Sequence, residues 1–188
     1  MKALRPLYNC LVAVFLLLAP LVLVGPAWAE ATKLDDLFQQ LKSATDAEAG
    51  QITDNIWIEW SKSGSPAMDL LLKRGRDALA AGQPELAIQH FTALIDHAPD
   101  FAEGYNARAT AYYQTGDLGP SVSDIAKTLT LNPRHFGALS GLGAIFEQLG
   151  EPAKALEVYK AALAINPHMP DIKDAVKRLE TSLGGQDL

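Results

Sequence analysis

Along residues 68–169 the apolar positions keep a helical beat that breaks and restarts at fixed places. Leu71, Ala78 and Leu79 fall at helical spacing, and Leu86, Phe91, Leu94 and Ile95 repeat it after a break. Gly82 stands between the two runs and Pro99 follows them. Glycine returns at Gly116 and Gly150, and proline at Pro133 and Pro167, always after the same interval. Other columns keep the same register: Leu71, Tyr105 and Leu139; Ala78, Tyr112 and Phe146; Phe91, Ile125 and Tyr159. The chain therefore holds three copies of one unit, at 68–101, 102–135 and 136–169.

Each unit reads as a helix, a tight turn and a second helix. The glycine closes the turn in a left-handed conformation that carries no penalty without a Cβ. Pro84, Pro120 and Pro152 sit at or near the start of the second helix, where a missing N–H costs nothing. Pro99, Pro133 and Pro167 end it. Small residues also coincide, as Gly75, Ala109 and Gly143 and as Ala87, Ser121 and Ala155. They predict a close crossing, Gly75 against Ala87 in the first unit, which a bulky residue at Gly143 or Ala155 would overpack. One unit cannot bury its own apolar face, and about three are needed for stability, so both ends need covers. At the C-terminus (170–188) Ile172, Ala175, Val176, Leu179 and Leu183 form one stripe of a capping helix, opposite Lys173, Lys177, Arg178 and Glu180. At the N-terminus (30–67) Leu34–Ala44 and Asp46–Trp60 read as two helices. They lack the turn glycine and the small crossing pair, so the expectation is a capping hairpin, with a degenerate fourth repeat as the alternative. Trp57 and Trp60 read as core residues of that hairpin.

The segment 1–29 changes the picture of where the chain works. Lys2 and Arg5 precede an apolar run, Cys10 to Gly25, and Ala27 and Ala29 flank a cut before Glu30. That order of parts is a secretory signal, and the expectation is a periplasmic bacterial protein. The alternative is an uncleaved inner-membrane anchor, since the run approaches the length of a spanning helix. Only in that case is membrane contact expected. Cleavage removes the only cysteine, so packing alone must hold the remainder together. It also removes two positive charges from a chain whose formal charge is already −6. An acidic chain without a basic cluster does not fit phosphate-backbone binding, and no nucleic-acid partner is expected.

With these coincident columns, residues 68–169 resemble the tetratricopeptide repeat family. The resemblance implies an all-α, α-α superhelix of three repeats whose first helices line a concave groove. Groove-facing positions would be Leu72, Arg76, Glu103, Asn106, Thr110, Tyr113, Ser140, Ala144 and Glu147, with Arg134 and His135 at the edge. The family's carboxylate-clamp positions fall on Leu72, Arg76, Ala107, Gly137 and Gly141, of which only Arg76 could contribute, so that clamp is not expected. Asn106, Thr110 and Tyr113 stand at i, i+4 and i+7 and are the chosen polar contacts. Gly137, Ser140, Gly141 and Ala144 share a face almost free of side chains. Two helical glycines cost about 1 kcal/mol each relative to alanine, so something packs closely there. That is either a partner or part of this chain, such as residues 30–67. Arg74 and Arg108 are equivalent, and an Arg108–Asp124 ion pair is expected inside the second unit, with His90 opposite Arg74 in the first.

Chemistry is poorly provided for. His90, His97, His135 and His168 are never i, i+4 to one another, and no HExxH, GxSxG or GxxxxGK motif occurs. The glycines at 141 and 143 lie mid-helix and follow no strand. The expectation is a non-enzymatic module without cofactor or metal. Its partner is a protein or peptide in the cell envelope, and self-association through an exposed cap stripe is left open. An uncleaved leader would instead make it an anchored structural or assembly subunit; a further alternative is an accessory subunit of an envelope complex that contributes no catalytic groups.

Overall fold

In the computed structural model the described residues are 26–184, with side chains from Lys33 onward. The leader's basic start and apolar run fall in residues 1–25, outside the described residues. Nine helices and no strand occur among the described residues: α1 (Pro26–Ser43), α2 (Asp46–Trp60), α3 (Pro66–Ala80), α4 (Pro84–His97), α5 (Ala102–Thr115), α6 (Leu118–Leu131), α7 (Phe136–Gln148), α8 (Pro152–Ile165) and α9 (Pro170–Gly184).

The turns within the units form for the expected reason. Gly82, Gly116 and Gly150 have φ of +71°, +84° and +71°. At the first, the Gly82 N–H bonds the Leu79 carbonyl and the Gln83 N–H reaches back to Ala78, at 3.0 and 2.9 Å. These two bonds cap the carbonyls that the end of a helix leaves open, and the other two turns repeat them. Pro84 and Pro152 open α4 and α8, while Pro120 lies inside the first turn of α6.

The crossing inside each unit is filled differently from expectation. A Cβ on Gly75 would collide first with the Phe91 ring, not with Ala87, and one on Gly143 would collide with the Tyr159 ring. The glycine thus makes room for an aromatic ring from the second helix. In the middle unit the ring is replaced by Ile125, and its partner is the larger Ala109, both buried in one cluster. The two columns compensate in volume. Ala87, Ser121 and Ala155 are also buried, and the Ser121 hydroxyl donates to the Ala109 carbonyl at 2.8 Å.

Successive first helices touch, α3 to α5 and α5 to α7, whereas no comparable contact joins α4 to α6 or α6 to α8. The array therefore curves toward its first helices, and they line its concave side. At the far end α9 lays Ala175 and Leu179 on Ala155 and Tyr159, as a cap should.

The N-terminal hairpin does not cap the first unit. Leu37, Phe38, Leu41, Ala49, Ile56 and Trp60 form its core, and that core joins Phe136, Ile165 and Met169 of the third unit. The first unit's cluster, built on Leu72, Phe91, Leu94 and Ala107, contains nothing from α1 or α2. So the hairpin is neither an end cap nor a fourth stacked repeat. It lacks the turn glycine and small crossing pair that stacking requires, whereas Gly137 on α7 offers its tryptophan a seat.

Candidate functional site

Helix α2 crosses the concave side, and a polar cluster lies beneath it. His135 caps the start of α7, its Nδ1 accepting the Ala138 N–H at 3.0 Å. A nitrogen that accepts carries no proton, so the ring hydrogen sits on Nε2 and donates to Glu103 Oε2 at 2.9 Å. The Glu103 carboxylate is only 3% exposed. It also accepts from Arg76 Nη2 at 2.6 Å and from Asn106 Nδ2 at 3.2 Å. Burial of this charge is tolerable because a cation and two further donors meet it. Over the cluster, the Trp60 ring stacks on His135 with centroids 4.2 Å apart, and Trp57 meets the imidazole edge-on at 5.3 Å. A Cβ on Gly137 would lie 2.5 Å from Trp57, so this glycine is what lets the indole down onto α7.

Polar ties surround the two tryptophans. Asp35 pairs with Arg134 at 2.7 Å, and that guanidinium lies 4.4 Å from the Phe38 ring. His168 hydrogen-bonds Asp46 at 2.6 Å, and this bond, with Lys173 nearby, holds the Asp46 carboxyl below its ordinary range. Asn166 Nδ2 donates to Thr53 at 3.4 Å and Arg76 donates to Ser61 at 3.0 Å.

Beyond α2 the concave side is open. A cleft of about 120 Å³ is lined by Asn106, Thr110 and Tyr113 of α5 and by Gly137 and Gly141 of α7, over a floor that includes Ala109, Ile125, Ala138 and Ile145. A Cβ on Gly141 would make only ordinary contact, 3.7 Å from Ile125, so here the missing side chain leaves space. Tyr113 is 40% exposed. Thr110 is exposed and its hydroxyl donates to the Asn106 carbonyl at 3.1 Å. Ala144 is half-buried, and the Ser140 hydroxyl oxygen is enclosed without a hydrogen-bond partner.

Several expected groove residues are placed elsewhere. His135 is fully buried under Trp60, not at a free edge. Leu72 is core, and Glu103 is enclosed in the cluster described above. Asn106 borders the cleft but is itself buried, with its amide nitrogen committed to Glu103. Glu147 faces α8 and α9: Arg178 binds it at 2.7 and 3.2 Å and the Tyr159 hydroxyl donates to it at 3.0 Å. Those bonds hold its carboxyl below the ordinary range, Arg178 contributing most. Arg108 forks onto Asp124, Nε to Oδ2 at 2.7 Å and Nη2 to Oδ1 at 2.9 Å, and reaches Thr92 at 3.1 Å. No hydrogen bond joins Arg74 to His90 among the described residues, so the first unit lacks the equivalent tie. The seat of Trp57 on Gly137 gives the bare face of α7 one of its two expected occupants, the chain's own segment 30–67, and the sequence does not say which residue of that segment fills it. Its traces are the bare face of α7 and a tryptophan pair far upstream of that glycine, in a segment outside the repeats.

Among the described residues no group of three or more His, Cys, Asp or Glu side chains could hold a metal ion. No described helix is long and apolar enough to cross a membrane.

Comparison with known proteins agrees with this architecture. Two family models, each described as tetratricopeptide repeat, match residues 72–119 and 137–169. A TPR repeat-containing protein of Rhizobium etli is 36% identical over 154 residues, 81% of this chain and 76% of that protein. The Sgt2 TPR domain from Aspergillus fumigatus superposes with a TM-score of 0.61 at 22% identity, over 65% of this chain and 83% of that one. The first TPR of Spaghetti (RPAP3), solved with an HSP90 peptide, gives 0.59 at 22% identity over 62% and 93%. With its period, paired helices, inner row and 36% identical relative, the chain belongs to the tetratricopeptide repeat family.

Proposed function

We propose that this chain is an exported, non-enzymatic interaction module that holds a peptide or protein of the bacterial cell envelope in its concave side. The cleft between α5 and α7 carries the reading. It combines an apolar floor with a polar rim, the arrangement that seats one apolar side chain while orienting the backbone around it. Tyr113 supplies a rigid aromatic wall with a polar tip, and the free oxygen of Asn106 and the Thr110 side chain flank it. The Spaghetti domain, solved with an HSP90 peptide, supports occupancy by a peptide. The ligand differs in kind, because Leu72, Ala107, Gly137 and Gly141 stand here where a carboxylate clamp needs polar groups.

Affinity capture from a native envelope extract tests the reading, with the full chain as bait beside Gly141→Leu and Tyr113→Ala. Gly141→Leu fills the cleft where a Cβ alone fits, so the fold is kept and a groove-bound partner is lost. A partner retained equally by all three baits refutes the groove reading. Export itself rests on the order of basic, apolar and small residues before Glu30. Mass spectrometry of the cellular protein reads it directly: a chain starting at Glu30 supports a free periplasmic protein. An intact first segment supports the anchored-subunit alternative.

A further inference from the structure

The surface that α2 covers is unlike the contacts between units. Those contacts consist of leucine, phenylalanine, isoleucine and alanine. Under α2 the buried polar residues Glu103 and His135, with Asn166 at the edge, lie beside the apolar Phe136. The bonds of the first two go to Arg76, Asn106, the Ala138 N–H and each other, none of them on α1 or α2. Lifting the hairpin leaves that network complete, while it uncovers Phe136, Ile165 and Met169, so the covered face pairs satisfied polar groups with an apolar seat, as the groove of a helix-binding protein does.

What the hairpin brings resembles a ligand. Trp60 stacks on His135, Trp57 drops into the space left by Gly137, and the Asp35–Arg134 pair beside them is exposed on both sides and gains little in water. The connection to α3 is short, and it turns on Gly64 at φ +79° with nothing within 4 Å of where a Cβ would stand.

We propose that this half of the groove is a binding face for an amphipathic helix carrying two aromatic residues three positions apart. Helix α2 is its resident occupant, and a partner helix of that kind displaces it. The proposal rests on the groove reading above and names the second ligand chemistry the groove accepts. A tethered occupant acts at an effective concentration of about millimolar, so an incoming helix sees only the fraction of molecules whose hairpin is away.

The probe is a fluorescein-labelled peptide of residues 46–62, compared with the same peptide carrying alanine at both tryptophans. Anisotropy is read against the full chain and against the chain with Trp57→Ala and Trp60→Ala in its own hairpin. A third protein carries Cys10→Ser, Asp35→Cys and Arg134→Cys, read before and after bridging by a short bismaleimide; the native side chains at those two positions meet at 2.7 Å. The tryptophan peptide is expected to bind the weakened-hairpin chain about tenfold tighter than the unaltered chain. Bridging abolishes binding, and the alanine peptide binds nothing. Equal binding before and after bridging overturns the proposal, and so does no binding to the unbridged chains. Because the bridged protein keeps both tryptophans, that comparison stands even if the double alanine variant unfolds. If an envelope partner is still lost on Gly141→Leu while the peptide ignores the bridge, the groove reading survives and this proposal falls.

Discussion

Gly143→Ala is the sharpest test of how a unit is packed. A Cβ at this position would overlap the Tyr159 ring, which is 4% exposed and tied through its hydroxyl to Glu147. Overpacking a filled site costs about 1–3 kcal/mol, and alanine returns about 1 kcal/mol of helix propensity. The net loss is about 0–2 kcal/mol, although the exchange is helix-favouring on propensity alone. Tyr159→Ile by itself removes a ring and a hydrogen bond and should cost about 3 kcal/mol. Together the two substitutions rebuild the Ala109–Ile125 pair that the middle unit already uses. The double variant should therefore recover about 1–2 kcal/mol relative to the sum of the singles, a coupling typical of residues in contact. Urea unfolding of the parent, the two singles and the double measures it. Strict additivity, or stabilisation by Gly143→Ala alone, would refute the idea that the glycine exists to admit the ring.

Two further outcomes follow from the charged contacts. Asp124→Ala leaves the Arg108 guanidinium without its fork in a half-buried site, and should cost about 3 kcal/mol in urea unfolding; Arg108→Met with Asp124→Leu should cost much less. Glu147 has a folded-state pKa depressed below its ordinary 4.5, first by Arg178 and then by Tyr159. A depressed carboxyl contributes stability that is present above the ordinary value and is lost as pH falls through the folded one. The urea midpoint should therefore decline at pH below about 4.5, and Arg178→Gln should flatten that part of the decline. An unchanged acid slope in this variant would rule the pair out as its source.

The repeat was legible because its determinants are local. Gly82, Gly116 and Gly150 announce a backbone conformation, and Pro99, Pro133 and Pro167 announce a stop, each needing no knowledge of the rest of the chain. Arg108 and Asp124 were also within reach, since the helix-turn-helix between them places the two opposite each other. The column Gly75, Ala109, Gly143 was visible, but the atoms filling it were assigned to the wrong neighbour. The informative fact was the inverse size order in Phe91, Ile125 and Tyr159. The placement of His135 was not legible, because exposure at a family groove position says nothing about another segment lying across it. That cover depends on Trp57 meeting Gly137, a pairing so distant along the chain that no helical period encodes it.

The hairpin's long reach also changes how the array behaves as a chain. In an ordinary solenoid each repeat answers only to its neighbours, so units fold and fray nearly independently. Here the Thr53–Asn166 and Asp46–His168 bonds join positions 113 and 122 residues apart. Closing a loop of that size is entropically slow compared with forming adjacent helices. Such bonds form after the repeats have stacked, since two of their members sit at the α8–α9 turn, which has no fixed place until then. Once made, they tie the last repeat to the first helices, so terminal fraying at one end is felt at the other. While the hairpin is seated, a nearest-neighbour filament has in this way become a circuit, and the circuit opens when the hairpin leaves.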